Sequence, residues 1–150
     1  MNFRRSRPFL WLFLGVIGGA FLSDPAAAQG NAGAASLQIW GTGEPRREFL
    51  HVDDAADAIV HLLAHYSGET HVNVGCGTDV TIKELAEIVA KAVGFNGSIE
   101  ADPSKPDGTP RKLLDTSRLT AVGWRPKIQL EDGIKDTYSW YCEQLASGKI

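Results

Sequence analysis

The sequence has few cysteines, no large excess of acidic or basic residues and no long hydrophobic stretch. Its two cysteines, Cys76 and Cys142, are too few for a disulfide framework, so we expect two reduced thiols. The net charge is −3 with 22% charged residues, which argues against a disordered polyelectrolyte and against a nucleic-acid-binding protein, since the latter needs a basic face. The uncharged apolar run from Phe9 to Leu22 has 14 residues, whereas a transmembrane helix needs about 20.

Residues 1–30 differ in character from the rest of the chain. Three arginines precede the apolar run, and the small residues Ala26, Ala27 and Ala28 follow it. A basic start, a short apolar stretch and an Ala-x-Ala end are typical of a secretory signal. Residues 1–28 therefore predict export, for example to a periplasm, and membrane association only if this leader stays uncleaved. The alternative is that the segment is a misplaced start and not a functional leader.

Residues 31–150 have the length of one domain, and the chain is 43% hydrophobic, enough to bury a core. Alternation of apolar residues predicts short strands, namely Leu37–Trp40, 47–52, Val72–Val74 and one centred on Ile99. Helical spacing predicts helices, namely 53–66 capped by Asp53 or Asp54, a capping-box helix between Thr81 and Gly94, 116–121 and 131–145. Strands and helices interleave, which predicts a small α/β or α+β domain.

The stretch WGTGEPRREFLHVDD, residues 40–54, carries residue types that suit a nucleotide. The planar fork of an arginine donates two parallel hydrogen bonds to a phosphate, and a tryptophan offers a flat face to a base or sugar. Trp40 and Arg47 are therefore candidate binding residues. The alternative is a buried tryptophan beside two solvated arginines.

The loop KPDGTPRK, residues 105–112, is the second candidate. Asp107 can accept hydrogen bonds from sugar hydroxyls, while Arg111 and Lys112 can approach phosphates. The alternative is a charged surface loop.

We predict no metal site. His61 and His65 are four residues apart on a predicted helix, but the HExxH pattern of zinc sites would need a glutamate where Leu62 stands. Both histidines are interpreted as part of a solvated helix face.

Three segments together resemble one enzyme family. In chain order they are WGTGEPRREFLHVDDAADA, HVNVGCGTDVTIKELAEIVAKAVGF and SKPDGTPRKLLDTSRLTAVGW. They are similar to the C-terminal, substrate-binding part of the GDP-L-fucose synthases, which are extended short-chain dehydrogenases/reductases. The resemblance implies a GDP-sugar as the small-molecule partner, with Trp40, Arg47 and Asp107 at family substrate positions and Arg111 and Lys112 in the same motif.

What that family does is an expectation carried by the resemblance. It epimerises GDP-4-keto-6-deoxymannose at C3 and C5 and reduces the C4 ketone with NADPH. The family's glycine-rich NADP loop, Tyr-x-x-x-Lys pair and acid/base Cys and His belong to a Rossmann half with no counterpart in this sequence. Each tyrosine here is followed four positions later by Thr70, Cys142 or Leu145 instead of lysine.

We therefore expect no catalytic residue in this chain, and NADP(H) as a cofactor of the full-length family only. The sequence predicts an inactive, substrate-binding fragment. The alternative is a non-catalytic module that binds a nucleotide sugar or a protein partner. Because GDP-sugars and NADPH are cytoplasmic, the resemblance favours a cytoplasmic location over export. It also implies a possible homodimer, and apolar surface left exposed where family members bury this region against the cofactor domain.

Overall fold

The computed structural model of the chain describes residues 36–150. The predicted leader, residues 1–30, lies outside the described residues. The strands are β1 Ser36–Trp40, β2 Arg46–Glu48, β3 Asp79–Thr81, β4 Ser98–Asp102 and β5 Arg111–Lys112. The helices are α1 Val52–His65, α2 Ile82–Val93, α3 Ser117–Ala121 and α4 Leu130–Ala146. The result is the mixed α/β domain that the interleaved pattern predicts.

Two small sheets organise these elements. β1 pairs with β4 in parallel. β2 is the centre of the other sheet, antiparallel to β3 and parallel to β5. Leu37 and Ile39 alternate with exposed residues along β1 and pack on Ala86 of α2, as the period of two in a half-buried strand requires.

A second core joins α1 to the segment around Trp124. Ala58, Leu119 and Trp124 are almost fully buried together. The indole nitrogen of Trp124 donates to Asp57 at 2.9 Å, so the one polar atom of this ring has a partner. Buried Asp54 accepts from the backbone amides of Lys127 and Ile128, each at 2.9 Å.

Helix α2 begins and ends as its sequence predicts. The Thr81 hydroxyl accepts from the Glu84 amide, and the Glu84 carboxylate accepts from the Thr81 amide, which completes the capping box. Gly94 ends the helix in the left-handed conformation, with φ 72°.

Two predictions about local structure were wrong. The cap of α1 is His51, whose Nδ1 accepts from the Asp53 amide at 3.2 Å, while Asp53 and Asp54 lie inside the first turn. Val72–Val74 is not assigned as a strand, because no strand among residues 36–150 lies beside it to form a ladder. The predicted extended stretch 47–52 forms a ladder only at β2.

Helix α1 exposes an apolar stripe. An apolar stripe at helical spacing ordinarily faces the core, yet the core contact of α1 is made through Ala58 and Leu62 on another side. Exposure of the large stripe residues rises to 82% at Leu63. The outward stripe consists of Val52, Ala56, Ile59, Val60 and Leu63.

Candidate functional site

The loop Lys105–Pro110 crosses the ends of β1 and β2 and defines the candidate site. At its start, the ammonium of Lys105 lies 5.9 Å from the centroid of the Trp40 ring. Trp40 is 65% exposed, so the alternative interpretation of a buried tryptophan is wrong and the ring is available from solvent. A cation at this distance interacts favourably with the face of an indole.

Asp107 fixes the middle of the loop to the turn after β1. Its two carboxylate oxygens accept from the Thr42 amide and the Thr42 hydroxyl, both at 2.8 Å. The carboxylate packs directly over Gly41, which has φ +78° and no room for a Cβ. The hydrogen-bond partner of Asp107 is thus Thr42, 65 positions away in the sequence. No local pattern marks Thr42 for this role.

Arg47 holds the other end of the loop. Its Nη1 donates to the carbonyls of Arg46 and Thr109, each at 2.7 Å. Its Nη2 lies beside Gly108, 3.0 Å from where a Cβ would stand. The guanidinium is thus oriented by the loop backbone through one nitrogen, and its other nitrogens remain as donors.

The two register pairs of the β2–β5 ladder, both made of basic residues, have different partners. Arg46 and Arg111 are register partners, and both donate to Asp79, Arg46 at 2.9 Å. The Asp79 carboxylate is only 4% exposed, and its bonds to Arg111 and then Arg46 hold its pKa below the ordinary value. On this face of the ladder, one buried carboxylate is therefore paired with two partly exposed arginines.

The opposite face carries the free cations. Arg47 and Lys112 are the next register partners, and successive side chains of a strand alternate between faces. Lys112 is exposed, and among residues 36–150 no carboxylate lies within ion-pair distance of it. Of the five predicted site residues, Trp40 and Arg47 contact the loop and Asp107 belongs to it. Lys112 is the register partner of Arg47, and Arg111 pairs with Asp79.

The other candidates form no site. His61 and His65 stack with ring centroids 4.2 Å apart and bond backbone carbonyls. Within residues 36–150, His, Cys, Asp and Glu side chains gather nowhere in a group able to hold a metal. Both cysteines are free thiols. No helix in the described part of the chain is both long and apolar enough to cross a membrane.

The sequence resembles known proteins over most of the described region. Residues 23–75 match the NAD dependent epimerase/dehydratase family. A rice protein (Oryza sativa subsp. japonica) called probable GDP-L-fucose synthase 1 is 59% identical over 116 residues, which are 77% of this chain and 35% of that protein. Over these residues the chain is similar to GDP-L-fucose synthases. It spans about a third of the length of such relatives.

Solved structures of GDP-sugar reductases share this fold. A GDP-6-OMe-4-keto-L-xylo-heptose reductase from Campylobacter jejuni is 43% identical with a TM-score of 0.67, over 73% of this chain and 34% of that one. The GDP-mannoheptose C4 reductase of the same organism, solved with NADP bound, is also 43% identical, with a TM-score of 0.63 over 71% and 35%.

The described residues do not fit the NADP that this fold family implies. A dinucleotide's pyrophosphate binds where a glycine-rich turn leads from a strand into a helix N-terminus. The two Gly-x-Gly turns of residues 36–150, at 41–43 and 75–77, lead into β2 and β3 instead. In the second turn, the Gly77 amide already donates a hydrogen bond to the Glu48 carboxylate, at 2.6 Å.

Proposed function

We propose that residues 31–150 form a GDP-sugar-binding domain of the GDP-L-fucose synthase type, without catalytic activity of its own. The observation that carries this proposal is the loop Lys105–Pro110, which gathers the exposed Trp40 ring and the Arg47 guanidinium. Its contacts with them span Lys105 to Thr109, at most about 14 Å of chain. An aromatic face and a cation that both contact one short loop suit a nucleoside diphosphate.

Each residue has a role in the proposed complex. Trp40 stacks on the flat part of the ligand, and Lys105 supports the ring from its other side. Arg47 and Lys112 donate to the diphosphate, where charge-assisted hydrogen bonds are strongest. Asp107 keeps the loop in place through Thr42, and its remaining lone pairs can accept from a sugar hydroxyl. Arg111 contributes through its bond to Asp79, which fixes β5.

The chemistry of the full-length enzymes would need more than this domain. Reduction of a ketone requires a hydride donor and a proton source, and neither a dinucleotide turn nor a Tyr-x-x-x-Lys pair occurs here. The role of this domain is to bind and orient the GDP-sugar. NADP(H) would belong to a complete family member and not to this chain alone.

Calorimetric titration of GDP tests the proposal. We expect weak binding by the full chain and a roughly ten- to hundredfold loss in Arg47→Ala, since a hydrogen bond to a charged group contributes about 1.5–3 kcal/mol. Arg47→Lys keeps the charge but loses the fork, so we expect an intermediate affinity. Lys91→Ala, at the far end of α2, is the control and should bind as the wild type does. Equal GDP affinities for wild type and Arg47→Ala would mean that Arg47 is a surface residue that does not contact GDP.

We also propose a cytoplasmic location, because the ligand we assign is a cytoplasmic metabolite. The competing evidence is the basic, apolar and Ala-x-Ala pattern of residues 1–28. N-terminal sequencing of the protein from fractionated cells distinguishes a cytoplasmic location from export. An intact Met1 in the cytoplasmic fraction is expected, whereas a mature chain that starts at Gln29 outside the cytoplasm would overturn the location.

A further inference from the structure

A polar cavity of about 230 Å³ lies beside the second core. Sites for drug-sized ligands usually have a larger volume, so this cavity has room only for a smaller molecule. Leu119 and Trp124, which are buried in the second core, close its inner side. The polar part of its lining consists of residues 75–77, Thr116, Thr120 and Arg125.

Arg125 is the one charged residue in this lining. It is exposed, and among residues 36–150 its guanidinium has neither a carboxylate within ion-pair distance nor a hydrogen-bond partner. Glu48 and Asp115 lie near the lining residues without lining the cavity themselves, and both carboxylates already accept from backbone amides. The cavity therefore offers a guanidinium to an anion and presents no carboxylate that would compete for it.

Two threonine hydroxyls add neutral donors to the same cavity. Thr116 is the N-terminal cap residue of α3, where a threonine ordinarily accepts from a backbone amide, yet its side chain makes no capping bond. The Thr120 hydroxyl also has no hydrogen-bond partner in the part of the chain that the structure describes. The Thr120 amide donates to the Thr116 carbonyl at 3.0 Å, so the two side chains lie one helical turn apart on one side of α3.

We infer that this cavity is a second binding site, which takes the phosphate group of a small ligand. The planar fork of Arg125 can donate two parallel hydrogen bonds to a phosphate, and Thr116 and Thr120 can donate to its remaining oxygens. A carboxylate has fewer acceptor oxygens and would leave some of these donors unused. Leu119 and Trp124 provide the apolar surface for a short carbon skeleton.

The cavity is separate from the proposed GDP site. The Gly77 amide in its lining donates to Glu48 at 2.6 Å, and Glu48 follows Arg47 in β2. Because successive side chains of a strand point to opposite faces, the cavity borders the face of β2 that is turned away from Arg47. The inference of a second site does not rest on GDP binding.

The Cys76 thiol provides a readout of where a ligand binds. Cys76 is half-buried and lines the cavity, whereas Cys142 is exposed on α4 and serves as the internal control. We expect millimolar inorganic phosphate to slow alkylation of Cys76 by the neutral reagent iodoacetamide, at constant ionic strength, and to leave Cys142 unaffected. Mass spectrometry of the peptides measures both rates. Glycerol 3-phosphate distinguishes a phosphate ester from free phosphate, and acetate should give no protection.

Calorimetric titration of the full chain with glycerol 3-phosphate measures the affinity. Arg125→Ala should weaken binding by about tenfold or more, because it removes charge-assisted hydrogen bonds. Thr120→Val keeps the shape of the side chain but loses the hydroxyl, so we expect a smaller loss. Lys91→Ala, at the far end of α2, is the control and should bind as the wild type does. Arg125→Ala should leave GDP affinity unchanged, which distinguishes a failure here from a failure of the proposed function.

Four results would overturn this second site. The first is that neither phosphate nor glycerol 3-phosphate protects Cys76 or binds in the calorimeter. The second is equal binding by wild type and Arg125→Ala. The third is protection by acetate equal to that by phosphate, which would mean that the cavity does not select phosphate. The fourth is protection of Cys76 by GDP that disappears in Arg47→Ala, which would make the cavity part of the GDP site.

Discussion

Adjacent arginines have different functions in this protein. Arg46 turns to Asp79 and Arg47 turns to the loop backbone at Thr109. The cause is the pleat of β2, which sends successive side chains to opposite faces. One arginine therefore stabilises the ladder, and the other is left with nitrogens that can meet an anion.

The Asp79 cluster predicts an acid-dependent loss of stability. Because Arg111 and Arg46 lower the pKa of Asp79 in the folded protein, its ion pairs stabilise the fold above the unfolded pKa of about 3.9. That contribution is lost as the pH falls through the lowered folded pKa. We expect Asp79→Asn to lower the urea midpoint of unfolding at pH 7. The difference in urea midpoint between wild type and variant should become smaller below about pH 4.

The control for this experiment is Asp132→Asn. Asp132 is 73% exposed and faces Lys135 at 3.7 Å, and such surface pairs contribute little. We expect its urea midpoint to follow that of the wild type at every pH. If wild type and Asp79→Asn differed in urea midpoint by the same amount at pH 3 and pH 7, the ion pairs of Asp79 would be excluded as the cause of the lost stability.

At the scale of elements, the orientation of α1 predicts a contrast between two identical substitutions. Leu63 is 82% exposed and Leu119 is 1% exposed. Leu63→Ala should change the free energy of unfolding by about 0.5 kcal/mol or less, whereas Leu119→Ala should cost about 2–5 kcal/mol because it leaves a cavity in the second core. Chemical denaturation of the purified chain measures both. Similar costs would mean that the stripe is covered in the monomer.

Local sequence chemistry predicted elements well where all partners lie within a few residues. The capping box of Thr81 and Glu84 needs only a spacing of three, so it was visible in the sequence. Val72–Val74 has the alternation of a strand, but a ladder also needs a neighbour. The cap of α1 was missed because a histidine ring nitrogen serves in place of the usual short side chains.

For the whole molecule, we predict that the purified chain does not oxidise NADPH in the presence of GDP-4-keto-6-deoxymannose. The described residues offer no cradle for the dinucleotide, and no tyrosine in the sequence is paired with a lysine four positions later. The assay is loss of NADPH absorbance against a heat-treated sample of the same protein. A substrate-dependent loss above that background would refute the assignment of a binding domain without catalysis.

The sequence by itself determined the α/β class, the family resemblance and the residue types of the candidate site, because these depend on composition, period and short motifs. Tertiary structure decided how they are used. It joined Asp107 to Thr42 across 65 positions, turned Arg111 away to Asp79 and directed the apolar stripe of α1 outward. Such contacts depend on which distant segments of the chain become neighbours in the fold, and local sequence propensities do not specify those neighbours.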